Sequence, residues 1–192
     1  MSINIEQIIL KLNTVSRMAI IENAPNTEKM LVALSKFLRY RYQSEDSTVI
    51  AETELKVAEV LCDYYNTQFG SIAEFIYEDD AKLLGVTFIP HFTLLSYYYC
   101  MLSVFGSKDI NFQLRMTTKV TLIGEVVRIM IEFEGPSNMQ GIYKEAYSYE
   151  PDEYGSIRQA VRRLTAVIGE SNLRIHCDND NNRLEVIIQC KE

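Results

Sequence analysis

Leu34-Ser35-Lys36-Phe37-Leu38-Arg39-Tyr40 lies in the second of two apolar-periodic segments that organise the chain. Toward the N-terminus, residues 3–22 carry Ile5, Ile8, Ile9, Leu12, Val15, Met18 and Ile21. That spacing falls on one helical stripe. Asn23-Ala24-Pro25-Asn26 stops the helix, and Asn26 or Thr27 is expected to cap the next. The second helix is predicted to run to about residue 42, with Met30, Leu34, Phe37 and Leu38 on its buried face. Two antiparallel helices joined by so short a turn form a hairpin. A hairpin cannot bury all of its apolar surface by itself. Pairing with a second copy into a four-helix bundle would cover it, and so would packing on the rest of its own chain. The homodimer is the first expectation.

Toward the C-terminus, residues 43–49 are a polar break, and a third helix is predicted over residues 50–69, ended by Gly70. Strand-like stretches follow at residues 71–78 and 85–88. Pro90 is placed to open a helix that continues to about residue 105. Residues 110–122 and 125–134 read as a hairpin around Gly124. Residues 136–155 are polar, tyrosine-rich and loop-like; residues 156–168 form a helix. Residues 173–177 and 183–189 make a last hairpin around Asp178-Asn179-Asp180-Asn181-Asn182. This order after Gly70 predicts an α+β two-layer sandwich, with helices on one face of a mixed sheet. The expected division is a helical region at 1–69 and a sandwich at 70–192.

Composition narrows the function classes. With 19 basic and 26 acidic residues the net charge is −7, which disfavours nonspecific binding to nucleic acid or to an anionic membrane. No apolar run approaches the roughly 20 residues needed to span a bilayer. Residues 1–6 lack the basic start of a secretory signal. A cytoplasmic protein is expected. The cysteines at 62, 100, 177 and 190 have no C-x-x-C spacing, so buried thiols are expected and a zinc site is not.

The succession Ile3-Asn4, Leu12-Asn13-Thr14-Val15, Leu34 to Tyr40, Gln68-Phe69-Gly70, Ile89-Pro90, Glu134-Gly135-Pro136 and Arg162-Arg163-Leu164 resembles the bacterial sensor histidine kinases of the LytS/YesM type. The resemblance implies a dimerisation hairpin followed by a GHKL-type ATP-binding domain. It also implies a chain that begins near the first catalytic-region helix, with no sensor of its own. In that family a phosphoaccepting histidine precedes the Asn-Thr pair of the first helix. Setting Asn13-Thr14 on that pair places Ile9 where the histidine belongs, and no histidine occurs before His91. Isoleucine has no lone pair with which to take a phosphoryl group.

The family next places a Glu-Asn pair in the helix after Ile-Pro, to activate the attacking group and to hold Mg²⁺. Tyr99-Cys100 stand there, and no Asp, Glu, Asn or Gln occurs between Thr93 and Phe105. Mg²⁺ takes oxygen ligands, and Ser96 and Ser103 are a poor supply. The adenine-reading aspartate is replaced by Phe133, ahead of a retained Gly135-Pro136 turn. Glu134 lies one strand position along and so faces the other way. The glycine-rich phosphate box is reduced to Tyr154-Gly155-Ser156-Ile157. The degenerate pocket is therefore expected at Phe133, Glu134, Gly135 and Gly155.

Other residues invite functional readings. His91 is expected to be a partly exposed residue at a helix start rather than a substitute phosphoacceptor. His176 and Cys177 are strand neighbours, pointing to opposite faces and away from shared metal binding. Leu94, Tyr98 and Met101 share a helix face while Tyr97 and Tyr99 point elsewhere; these rings either fill the former nucleotide space or pack ordinarily. Arg158, Arg162 and Arg163 are expected on a solvated face, with an acidic partner as the alternative. Tyr143, Tyr147, Tyr149 and Tyr154 serve either an interface or the covering of an empty pocket.

The expectation is a catalytically inactive histidine-kinase-like protein. It would act by binding, as a homodimer through its hairpin or by pairing with an active histidine kinase or response regulator, and needs no cofactor. The alternative is a nucleotide sensor that retains ATP, with Mg²⁺, or ADP but transfers no phosphoryl group. A histidine phosphotransferase and an active kinase both require the missing hairpin histidine.

Overall fold

A computed structural model describes residues 4–42, 48–79, 82–108, 113–136, 138–151, 155–178 and 182–191. Tyr154 and the turn residues 179–181 named above lie outside it, as do most of the polar break and the first residues of the strand expected over 110–122. Helix α1 spans Ile5–Ile21, and its Asn4 cap side chain accepts from Gln7 N at 3.3 Å. Helix α2 spans Pro25–Arg41, with Pro25 in its first turn and Ala24 as the cap residue. The expected cap at Asn26 or Thr27 is therefore wrong. Proline needs no N–H partner at the first helical position, so the helix starts two to three residues earlier. Helix α1 packs chiefly on α2, which in turn packs on the third helix.

Strand β1, Thr48–Ile50, leads directly into α3, Ala51–Phe69, which ends at Gly70 with φ 80°. Strand β2, Ala73–Asp79, follows. The expected strand over 85–88 is instead a 3-10 turn at Leu83–Gly85 and then β3, Phe88–Pro90, paired antiparallel with β1. The Asp79 carboxylate caps that turn, accepting from Leu83 N at 2.9 Å and Leu84 N at 3.0 Å. Pro90 does not open a helix. It closes β3, and Thr93 Oγ1 donates back to its carbonyl at 2.6 Å. Helix α4 begins four residues later and spans Leu94–Gly106.

Strands β4, Leu114–Ile123, and β5, Val126–Glu134, form the predicted hairpin, turning at Gly124 with φ 64°. Two residues connect them, and such turns require a positive φ that glycine adopts freely. Helix α5, Met139–Ser148, occupies a stretch expected to be loop. Its signal is the stripe Met139, Ile142 and Ala146, all buried, behind an Asn138 cap that accepts from Gly141 N at 3.1 Å. Asn138→Ala is expected to lower stability by about 1 kcal/mol, measurable by denaturant unfolding. Helix α6, Ile157–Ile168, and the hairpin of β6, Leu173–Asp178, with β7, Arg183–Lys191, complete the chain.

The main sheet has the order β2-β4-β5-β7-β6, with β2 parallel to β4 and the other neighbours antiparallel. Alternation along its strands separates two faces. Leu114, Met116 and Val120, Ile129, Ile131 and Phe133, and Leu184, Val186 and Ile188 are buried toward the helices. The reverse face carries ion pairs, among them Lys119 with Glu132 at 3.5 Å and Arg115 with Glu74 at 2.9 Å. This is the expected α+β arrangement of helices over one face of a mixed sheet. One buried cluster runs from Phe37 and Tyr40 of α2 through α3 and α4 to the sheet. Among the described residues no helix is long and apolar enough to cross a membrane.

Candidate functional site

Helix α4 is the centre of the site. It lies among α3, α5, α6 and the sheet, so nearly its whole circumference is buried. The consecutive tyrosines consequently leave it in three directions. Tyr98 points to the sheet, edge-on to Phe75 at 5.4 Å and 5.9 Å from Phe133, and its hydroxyl bonds that of Thr118. Tyr97 is fully buried near Tyr143 and Tyr147 of α5, and its hydroxyl has no hydrogen-bond partner among the described residues. Burial drives both phenols well above the ordinary range. Tyr99, half-buried, packs on Phe37 of α2 at 5.2 Å and near Tyr149 at 6.4 Å.

Two of the expected pocket residues meet others. Cys100 Sγ lies 3.3 Å from the Gly155 carbonyl, and Phe133 lies under Tyr98. Glu134 points to the reverse face, where Arg183 Nη2 donates to it at 2.5 Å. Gly135 lies at the strand end, its N–H 3.4 Å from the Asn182 carbonyl. Ile9 is on the hairpin, half-buried in α1. The wall made by α4 and β5 is thus lined with rings and a thiol. It offers no carboxylate or amide to a nucleotide or to Mg²⁺.

His91 corrects its expectation. It is 3% exposed, stacks near the Tyr40 ring at 4.7 Å, and its Nε2 lies 2.9 Å from the Tyr40 carbonyl. It precedes the helix instead of starting it, because α4 begins at Leu94. Arg163 is likewise not on a solvated face: its Nη2 donates to the Phe92 carbonyl at 2.9 Å. Arg158 pairs with Glu150 at 2.8 Å and lies over the Tyr147 ring, while Arg162 is exposed. His176 is exposed on β6, and among the described residues no cluster of three or more His, Cys, Asp or Glu can hold a metal. Cys62, Cys100 and Cys190 are buried free thiols, and burial pushes that of Cys62 up to about 11.

One residue escaped the sequence reading. Glu54 of α3 is completely buried. Its Oε1 accepts from the Tyr40 hydroxyl at 2.9 Å and from Thr93 N at 3.1 Å, and its Oε2 accepts from Leu95 N at 3.0 Å. Burial outweighs these donors and holds the carboxyl above its ordinary range. The signal was its place in the apolar stripe of Ala51, Leu55, Ala58 and Leu61. A carboxylate on the core face of a helix requires partners.

The histidine kinase family model matches residues 7–72. That segment is similar to the histidine kinase family. It runs from α1 through α2 and α3 to Gly70, so it includes Ile9 and the stretch from Leu34 to Tyr40. Solved structures similar to this chain include a nucleotide-free catalytic domain of histidine kinase ThkA. It is 12% identical over 77% of this chain and 96% of that one, at a TM-score of 0.48. Acinetobacter baumannii histidine kinase AdeS is 10% identical over 95% of this chain and 94% of its own, at 0.45. A bacterial phosphotransferase is 13% identical over 95% and 90%, at 0.47. No curated protein matches the sequence.

Proposed function

We propose that this histidine-kinase-like chain is a catalytically inactive scaffold of the LytS/YesM type that works by binding other proteins in two-component-type signalling. The observation that carries the reading is the Tyr98–Phe133 contact, buried between α4 and the sheet where the resemblance puts the adenine end of a nucleotide. Phosphoryl transfer depends on placed charge. In this chain the positions of the histidine, the glutamate, the asparagine and the aspartate are Ile9, Tyr99, Cys100 and Phe133. The sandwich is then a GHKL-type body without its cofactor, and the hairpin of α1 and α2 is the binding part. The hairpin pairs with a second copy, and an active histidine kinase or a response regulator is the further partner. The proposed setting is the cytoplasm.

Titration of Mg²⁺ and ATP into the purified protein by calorimetry is expected to give no heat of binding at protein concentrations of about 100 μM, where a Kd near 1 mM or tighter registers. Incubation with γ-labelled ATP is expected to leave the chain unlabelled. Saturable binding without labelling would replace this reading with that of a nucleotide sensor. The Tyr97 hydroxyl beneath α5, without a partner among the described residues, is the observation that favours this second reading, since a buried donor gains from any group that reaches it. Labelling would overturn both.

A further inference from the structure

Helix α2 packs along α3, and its buried hydrogen bonds to the body gather at one end. The last turn of α2 carries Tyr40 and Arg41, both buried. The Tyr40 hydroxyl donates to Glu54, its carbonyl meets His91 Nε2, and the Arg41 guanidinium lies 4.4 Å above the Phe92 ring. Phe92 has φ 60°, a left-handed conformation that a bulky side chain rarely adopts. The surroundings enforce it: Arg163 holds its carbonyl and Glu54 holds the next N–H, that of Thr93.

Farther from this joint hollows flank α2. A hollow of about 140 Å³ lies among Leu34, Phe37, Leu61, Tyr64, Tyr65 and Tyr99. Another of about 320 Å³ opens toward the start of α2, between Lys29 and Lys36 on one side and Val60 and Asp63 on the other, bridged by the exposed Lys29–Asp63 ion pair at 3.7 Å. Beyond the pinned end α2 is held by packing on α3 and by one exposed ion pair, with hollows that leave it room to shift about that end.

The same carboxylate serves the far side of the joint. Thr93, the residue before α4, makes no side-chain cap to the helix. The first N–H groups of a helix have no partners within it. Glu54 supplies the missing acceptor for Thr93 and Leu95 from a neighbouring helix. We propose that Glu54 is a relay latch: one buried carboxylate ties the end of the hairpin, through Tyr40, to the first turn of α4, so that a swing of the hairpin loosens or tightens the start of α4. Tyr99 reinforces the coupling, because it sits on α4 and packs on Phe37 of α2. The latch deepens the proposed function, since it presumes that partners act on the hairpin, but its test uses the chain alone.

The test is amide hydrogen exchange, resolved by residue, on the full chain and on Tyr40→Phe. That variant removes only the hydroxyl, leaving the ring, the Tyr40 carbonyl and Glu54 in place. The relay predicts that Thr93 and Leu95, across the joint from the substitution, exchange on the order of tenfold faster, the effect of losing about one hydrogen bond. Amides of β5 and β7 should keep their rates. Glu54→Gln is expected to accelerate Leu95 more, because an amide cannot accept at both of its heavy atoms. Faster exchange confined to α2 in Tyr40→Phe, or a uniform rise including β5, would overturn the relay. Neither result would bear on whether nucleotide binds or partners dock, which the calorimetric and oligomerisation measurements decide separately.

Discussion

Phe133→Asp, which restores the residue type the family uses to read adenine, is expected to unfold the body and not to restore nucleotide binding. Phe133 is fully buried, and its neighbour Tyr98 is locked by the Thr118 hydroxyl and the Phe75 ring. Removing a buried phenylalanine ring costs about 3–5 kcal/mol. The new carboxylate would then be desolvated against rings, a further penalty of several kcal/mol unless it stays protonated. A domain with a total stability of about 5–15 kcal/mol does not carry that sum easily. Thermal unfolding followed by circular dichroism should show a lost or much lowered transition. Phe133→Leu, which keeps apolar volume, should fold and bind no more ATP than the parent. A folded Phe133→Asp protein that takes up Mg²⁺ and ATP would mean that the ring pair masks a working pocket, and the inactive reading would fall.

The frame was legible wherever a regular pattern met an ordinary partner. The β4–β5 hairpin announces itself by alternation around Gly124, and α6 by Ser156, whose side chain accepts from Gln159 N. Helix α5 was hidden because tyrosine, lysine and glutamate dominate its exposed side and only three buried positions carry its period. Pro90 misled for a local reason. Proline suits a first helical turn and a strand end equally, and its pairing with Thr48 is a long-range contact that no local pattern announces. The site was legible in its identities more than in its arrangement. Helical spacing separates Tyr98 from its neighbours, but only the fold places Tyr98 against Phe133, Cys100 against Gly155 and Tyr99 against the hairpin. Glu54 and His91 were misjudged or missed for the same reason. Both are polar residues whose partners lie on other elements, Tyr40 above all.

Leu10→Asp combined with Met18→Asp is expected to turn a dimer into a monomer without unfolding the chain. Helix α1 has its chief packing partner in α2 and leaves Leu10, Met18 and Ile21 exposed at 67%, 52% and 85%. The three fall on one face of α1, opposite the buried Ser16 and Ala19, so Met18 and Ile21 do not share the stripe expected to run from Ile5 to Ile21. The body does not cover that face, so packing on its own sandwich does not solve the burial problem that the hairpin poses. A second copy would, and a two-fold interface uses the same patch on both chains. Each substitution therefore removes an apolar side chain twice. At about 1.5–3 kcal/mol per buried side chain, four losses amount to roughly 6–12 kcal/mol, comparable to the whole binding energy of a micromolar dimer, about 8 kcal/mol. Light scattering coupled to size exclusion should give the parent twice its 22.1 kDa chain mass and the variant that mass once. Unfolding midpoints compared at matched low concentration would verify that α1 stays folded, since both side chains face solvent in the single chain. A parent that stays monomeric at about 100 μM would remove the homodimer. A variant that stays dimeric would move the interface off α1, leaving the α2 side and its hollows as the surface through which copies meet.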